Sequence, residues 1–131
     1  MALRVGIIGT GTIALDHAMT CLNNPKVELT TVCDLSADAL AIFGDRFNIS
    51  KRYTNLEAFL KKEQFDIVII ATWGPSHAEV SIAAAASGNV RAILCEKPIA
   101  SNATECEAML TTARENKVLL MEGFKWRHDP Q

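Results

Sequence analysis

The residues Gly9-Thr10-Gly11-Thr12-Ile13-Ala14 form the pattern G-x-G-x-x-A directly after a short apolar run. In such a pattern Gly9 permits a tight turn, Gly11 lets backbone approach a ligand without a Cβ atom, and Ala14 lets the next helix pack closely on a strand. Free amides at the start of that helix, including those of Thr12 and Ile13, attract phosphate groups with the help of the helix dipole. The spacing therefore predicts a pyrophosphate-binding turn, although glycines also serve plain turn geometry.

An acidic residue, Asp34, follows the second apolar run and lies 20 residues beyond Ala14. A carboxylate at this position can accept both ribose hydroxyls of an adenosine, whereas it repels a 2′-phosphate. No arginine occurs in residues 35–38, so the pattern favours NAD over NADP. NADP stays open because of three polar or basic residues further along, Ser36, Arg46 and Arg52. Asp34 could instead cap a helix or end a strand in solvent.

Strands and helices must alternate to position these groups. Short runs rich in Val, Ile, Leu or Thr predict buried strands at residues 4–8, 29–33, 67–71, 92–95 and 118–121. Capping patterns predict helix starts at Thr54, Ser76 and Asn102, and Gly88 predicts the end of a helix of small residues. Strands joined by helices in this order form βαβ units. The fold class expected is α/β, a doubly wound, mostly parallel sheet with helices on both faces.

Length, composition and charge exclude several classes of protein. A chain of 131 residues with 49% hydrophobic residues has enough apolar material for one domain and is not disordered. The net charge of −2 argues against binding to a nucleic-acid backbone. Neither a signal-peptide core nor a membrane-length apolar run is found, and the four cysteines have no metal-binding spacing. We therefore expect a cytoplasmic protein with buried free thiols and no metal site.

Three more segments follow strand ends, which is where open α/β sheets bind ligands. They are Ala71-Thr72-Trp73-Gly74-Pro75-Ser76-His77, Cys95-Glu96-Lys97-Pro98 and Glu122-Gly123-Phe124-x-x-Arg127-x-x-Pro130. Together with the glycine turn, these segments resemble the Gfo/Idh/MocA oxidoreductase family, whose signature includes Glu-Lys-Pro. The Trp-Gly-Pro-x-His form is similar to the variant seen in myo-inositol 2-dehydrogenases, whereas the last segment is also similar to dihydrodiol and sugar dehydrogenases.

The resemblance implies a domain organisation. Residues 1–124 would form a dinucleotide-binding domain with a Rossmann fold. Residues 125–131 would lead into a C-terminal domain, absent from this chain, for substrate binding and oligomerisation. That second domain would carry the principal acid–base pair, an Asp and a His.

The resemblance also implies roles for individual residues. The cofactor would be contacted by Thr72, Trp73, His77 and Glu96, with His77 beside the nicotinamide ribose or phosphate. Lys97 would contact both the nicotinamide side and the substrate, and Arg127 could hold a substrate hydroxyl. From the residues alone, alternatives remain: His77 as a helix-start or packing residue, Trp73 in the core, and Arg127 at a domain edge.

Lys97 is the candidate catalytic residue because Glu96 and Pro98 restrict its loop. An ammonium at that place lowers the cost of a developing alkoxide, and a partly desolvated lysine can relay a proton. Its alternative role is a salt bridge with Glu96 or a solvated loop lysine.

These expectations combine into one main hypothesis and one alternative. The main hypothesis is an NAD-dependent oxidoreductase that removes hydride from a secondary alcohol of a polyol or sugar, and forms homo-oligomers through the second domain. The alternative is a non-catalytic NAD-binding sensor, since a fold does not fix a function.

Overall fold

The computed structural model describes residues 1–123, in which strands and helices alternate as the sequence predicts. The elements in chain order are β1 (Leu3–Ile8), α1 (Thr12–Leu22), β2 (Val27–Cys33), α2 (Ala37–Arg46), β3 (Lys51–Tyr53), α3 (Leu56–Lys62), β4 (Phe65–Ile70), a 3-10 turn (Gly74–Ser76), α4 (His77–Ala86), β5 (Val90–Glu96), α5 (Ala103–Glu115) and β6 (Leu119–Gly123).

The strands form one parallel sheet in the order β3-β2-β1-β4-β5-β6. The chain builds outward from β1 to β3, then returns to the other side of β1 for β4, β5 and β6. This is the doubly wound arrangement expected from the sequence. The order reverses between β1 and β4, and in such sheets the crevice at the carboxyl ends of these two strands is where ligands bind.

Helices cover both faces of the sheet, and each face has its own apolar core. On one face α1 and α2 pack on the sheet through residues such as Ala18 and Phe43. On the other face α3, α4 and α5 contribute Phe59, Ala84 and Met109. Strands β1 and β4 are buried toward their carboxyl ends, which explains why their apolar residues continue without alternating with polar ones. At β6 the expected burial on both faces is wrong, because this strand lies at the edge of the sheet and Leu119 and Met121 are exposed within the residues described.

Helix α4 packs closely because its residues are small, as the sequence predicts. Ala84 and Ala85 are buried against the sheet. The helix ends at Ala86, and Gly88 has a φ of +80°, the left-handed conformation in which glycine commonly ends helices.

The predicted helix starts are confirmed at Asn102 and Ser76, although Ser76 makes no side-chain cap, and the start predicted at Thr54 is wrong. Asn102 caps α5 by accepting a hydrogen bond from the amide of Glu105 at 2.9 Å. Thr54 does not cap α3, because the next residue, Asn55, accepts the bond from the helix. Ser76 precedes α4 without a side-chain cap, because a 3-10 turn turns its hydroxyl toward Trp73 and Thr72.

One strand, β3, was not predicted from the sequence. It has three residues, Lys51–Tyr53, and pairs only with β2 at the edge of the sheet among the residues described. A short edge strand with charged residues resists pairing with other chains, but it lacks the apolar run that marks a strand in a sequence.

None of the helices within residues 1–123 is long and apolar enough to cross a membrane.

Candidate cofactor-binding site

Gly9 places the glycine turn directly against the loop that follows β4. Its φ is +97°, which an alanine adopts only with strain. A Cβ atom on Gly9 would lie 2.6 Å from the carbonyl oxygen of Ala71. The Gly9 amide donates to the carbonyl of Cys33, at the end of β2, over 2.8 Å. The turn therefore joins the carboxyl ends of three neighbouring strands, and at this position the glycine serves the fold.

Gly11 has a different environment. It is exposed, and a Cβ atom built on it would have no heavy atom within 4 Å. It stands at the start of α1, where no side chain caps the helix among the residues described. The first amides of the helix, at Thr12 and Ile13, lie at this uncapped end and favour an anion. Ala14 is fully buried where α1 packs on the sheet. Free space above uncapped amides fits a pyrophosphate.

The carboxylate of Asp34 is held beside the same turn. One oxygen accepts hydrogen bonds from the Thr10 amide at 2.8 Å and the Thr10 hydroxyl at 2.7 Å. The other oxygen accepts the Ser36 amide at 2.8 Å. Asp34 does not cap α2, because the hydroxyl of Ser36 does so. A carboxylate has about four acceptor positions, and three are occupied, so one remains, on the oxygen that accepts the Ser36 amide, for a ribose hydroxyl.

The loop after β4 presents a tryptophan to solvent. Trp73 is 80% exposed, so the alternative of a core tryptophan is wrong. Thr72 accepts a hydrogen bond from Ser76 at 2.7 Å, which fixes the start of the loop across the 3-10 turn. A large aromatic surface at the end of a central strand is suited to the wall of a cleft.

His77 begins α4 and is 1% exposed. Its Nδ1 lies 2.7 Å from the carbonyl oxygen of Pro98, and its Nε2 lies 2.9 Å from that of Thr72. The ring therefore joins the loop after β4 to the loop after β5. Both partners are acceptors, so a neutral imidazole, with one N–H, can donate to only one of them at a time.

Lys97 lies at the exposed tip of a loop, and hydrogen bonds hold the residues before and after it. Glu96 forms a hydrogen-bonded contact with His17, at 2.6 Å, and no ion pair with Lys97 within the residues described. The Ile99 amide donates to the carboxylate of Glu122 at 2.9 Å. Within residues 1–123 the Lys97 ammonium makes no ion pair, so the predicted alternative of a salt bridge with Glu96 is not found. The charge is presented at the carboxyl edge of the sheet.

Two thiols lie beneath this edge and are poor nucleophiles. Burial raises the pKa of the Cys33 thiol to about 11, and the negative charge of Asp34 adds to the shift. Burial also raises the pKa of the Cys95 thiol to about 11, with Glu96 and Glu122 contributing in the same direction. Cys21 is buried too, so three of the four cysteines match the expectation of buried free thiols, and Cys106 is partly exposed.

Sequence reasoning missed three side chains that shape the site. Thr10, His17 and Glu122 hold Asp34, Glu96 and the Lys97 loop, respectively. The only signal for Thr10 was its place within the glycine turn. No sequence pattern indicated a role for His17, because its partner, Glu96, is 79 residues away. The predicted substrate residue Arg127 lies outside the described residues.

A parallel sheet with a glycine turn at the point where its strand order reverses defines a dinucleotide-binding domain of the doubly wound class. The sequence model of the oxidoreductase family with an NAD-binding Rossmann fold matches residues 3–124. The chain therefore belongs to the Gfo/Idh/MocA oxidoreductase family and is its NAD-binding domain, as the motifs indicate.

Similar proteins include dehydrogenases of diols and polyols. The chain is 36% identical to trans-1,2-dihydrobenzene-1,2-diol dehydrogenase of Mus musculus, over 99% of its own length and 39% of that protein. It is 34% identical to inositol 2-dehydrogenase of Serratia proteamaculans, over 98% of its own length and 39% of that protein. A solved oxidoreductase from Agrobacterium radiobacter, in complex with NAD+, L-tartaric acid and magnesium, superimposes with a TM-score of 0.89 at 30% identity, over 96% of this chain and 37% of that one. The chain thus spans about two fifths of the length of these relatives.

Proposed function

We propose that this chain binds NAD as part of a dehydrogenase that oxidises a secondary alcohol of a polyol or sugar to a ketone. The observation that carries the proposal is the exposed Lys97, held at the same sheet edge as the uncapped start of α1. The diol and inositol dehydrogenases among the relatives support a hydroxylated substrate.

Different residues of the chain would bind different parts of NAD. The amides at Gly11, Thr12 and Ile13 would hold the pyrophosphate, and the carboxylate of Asp34 would accept an adenosine ribose hydroxyl. Trp73 and Thr72 would line the cleft on the side of β4. His77 would act by holding the loops on which Thr72 and Lys97 lie, since both its nitrogens face carbonyl groups of the chain.

The bound nicotinamide would supply the hydride acceptor. Lys97 would place its ammonium beside the carbinol oxygen of the substrate and stabilise negative charge there as the C–H bond breaks. The hydroxyl proton would pass to the acid–base group proposed for the second domain, directly or relayed through Nζ of Lys97, and would return by the same path in the reverse direction. Glu96, already engaged by His17, would leave the Lys97 charge available for substrate.

We further propose that residues 1–124 form the complete cofactor domain and that residues 125–131 lead to a domain for substrate. Arg127 would reach the substrate from this connection. The second domain would supply the remaining acid–base groups and the contacts of a homo-oligomer. The buried free thiols support a location in the cytoplasm, where cysteines stay reduced.

Ligand titration of the chain tests the cofactor assignment. We expect NADH to bind about tenfold or more tightly than NADPH, because the carboxylate of Asp34 repels a 2′-phosphate. S-adenosylmethionine serves as the control for a methyltransferase with a similar fold, and we expect no binding. Tighter binding of NADPH or S-adenosylmethionine than of NADH would overturn the assignment.

A substitution at Lys97 separates the enzyme from an NAD-binding sensor. In the protein that carries the proposed second domain, Lys97→Met should lower turnover about 100-fold or more, the scale of a lost proton-transfer and charge-stabilising group. NADH affinity should fall by about tenfold at most, far less than turnover, because the ammonium is only one of the groups that would contact the cofactor. Lys26→Met, also exposed, is the matched control. Near-normal turnover of Lys97→Met would exclude the catalytic role.

A further inference from the structure

A hydrogen bond between two side chains connects the helix after the glycine turn to the loop that carries Lys97. His17, on α1, places its Nε2 atom 2.6 Å from Oε1 of Glu96, the last residue of β5. The side chains are only 18% and 13% exposed. A contact this short and this well shielded is a charge-assisted hydrogen bond, stronger than pairs in open solvent.

The carboxylate of Glu96 is enclosed on its other sides as well. Its Oε2 lies 3.4 Å from the Lys97 amide, the weaker of its two contacts. Gly123, at the end of β6, lies so close that a Cβ atom there would be 3.2 Å from Oε1. The carboxylate thus occupies a slot between β6 and α1, and His17 is the strong donor that holds it there. A second carboxylate, that of Glu122, also lies at the end of β6.

The rest of the Lys97 loop is held by other groups. His77 contacts the carbonyl of Pro98, and Glu122 accepts the amide of Ile99. These contacts fix the loop after Lys97. The backbone before Lys97 is held in the sheet by the pairing of Glu96 with Gly123, whereas the side chain of Glu96 is held by His17.

We propose that His17 is a positioning residue that acts through Glu96 to orient Lys97 toward the nicotinamide end of the cofactor. The placement of the loop follows from the contacts alone, whereas its consequence for the nicotinamide rests on the proposed function. His17 touches neither cofactor nor substrate in this role. It links the helix that starts at the pyrophosphate turn to the loop that presents the ammonium, so that one rigid unit sets the distance between them.

Three variants test the proposal in the 131-residue chain. His17→Ala removes the donor, and His17→Gln retains an N–H donor of similar reach. Asp16→Ala changes an exposed neighbour on the same helix turn and is the matched control. Two measurements are made on each variant: amide hydrogen exchange of the peptide spanning residues 96–101, and affinity for NADH compared with ADP-ribose, which lacks the nicotinamide.

We expect His17→Ala to speed exchange in residues 96–101 by about tenfold, while β1 exchanges as before, because only the local hold on the loop is lost. NADH affinity should fall about three- to tenfold and ADP-ribose affinity should stay within about twofold. His17→Gln should restore both quantities, and Asp16→Ala should match the wild type.

Unchanged exchange in residues 96–101 of His17→Ala would overturn the proposal, whatever the ligand data show. Equal losses of NADH and ADP-ribose affinity would also overturn it, since His17 would then act on the whole helix and turn. If the wild-type chain binds neither ligand, the proposed function fails, and the exchange data still decide whether His17 holds the loop.

Discussion

The two glycines of the turn should respond in opposite ways to the same substitution. Gly9→Ala places a Cβ atom 2.6 Å from the Ala71 carbonyl oxygen, at a φ of +97°. The left-handed conformation costs an alanine about 1–2 kcal/mol. The Ala71 backbone is tied to Ile8 by a 2.8 Å hydrogen bond, so relief of the clash must move strand ends, at about 1–3 kcal/mol.

These costs total about 2–5 kcal/mol, from a folding free energy of about 5–15 kcal/mol for a typical domain. A loss of about 3 kcal/mol lowers Tm by roughly 10 °C in a chain of this size. Gly11→Ala should behave differently, because its φ of −82° suits alanine and no heavy atom lies within 4 Å. Reduced freedom of the unfolded chain favours the alanine and the N-cap position disfavours it, so the free energy of unfolding should stay within about 1 kcal/mol of the wild type.

For NADH affinity the ranking of the two variants should be reversed, with the larger loss in Gly11→Ala. The new methyl group of Gly11→Ala projects into the space above the start of α1, so NADH affinity should fall about tenfold or more. Urea denaturation followed by circular dichroism measures stability, and titration with NADH measures affinity. If Gly9→Ala unfolds within about 0.5 kcal/mol of the wild type, the close contact with Ala71 is incorrect. If Gly11→Ala binds NADH normally, the pyrophosphate does not approach this turn.

Three further predictions follow from other contacts of the site and of the edge strand. Asp34→Ala should reduce the preference for NADH over NADPH about tenfold or more in paired titrations, because the group that repels a 2′-phosphate is lost, and an unchanged ratio would contradict this. In the folded chain at pH 8, only Cys106 should react quickly with a thiol reagent, because burial raises the pKa values of the other three thiols. In denaturant all four thiols should react, and a second fast thiol in the folded chain would contradict the burial. The 2.7 Å hydrogen bond from Tyr53 to Glu63 raises the pKa of the phenol above its usual 10.0. Glu63→Ala should therefore shift the ultraviolet titration of this single tyrosine to lower pH. It should also remove the stability that this bond gives the wild type below pH 10 and that is lost above pH 10.

Local patterns were sufficient for most of the fold and for the cofactor class. Apolar runs marked five of the six strands described. Burial on both faces explains the runs in the central strands β1 and β4 but not the run in β6, where Leu119 and Met121 are exposed. The strand β3 was not predicted, because an edge strand of three residues does not need a continuous apolar run. The cap predicted at Thr54 was wrong because Asn55 caps that helix, and the helix start at Ser76 was right but lacks a side-chain bond because its hydroxyl donates within a 3-10 turn.

Single residues of the site were harder to assign. His77 has the sequence context of a helix start, yet the structure uses both its nitrogens between two loops that lie 21 and 5 residues away. Trp73 could have been core or surface, since a tryptophan suits both, and only the path of its loop leaves it exposed.

The sequence by itself determined the sheet class, the glycine turn, the position of an acidic residue after β2 and the family, because each depends on residue types at fixed, short spacings. Only the tertiary structure decided which glycine serves the fold and which faces open space, and that His17 holds Glu96. These contacts join residues far apart in the chain. They exist because the strand order brings the carboxyl ends of β1, β4, β5 and β6 to one edge, and no local pattern records how close two such loops will lie.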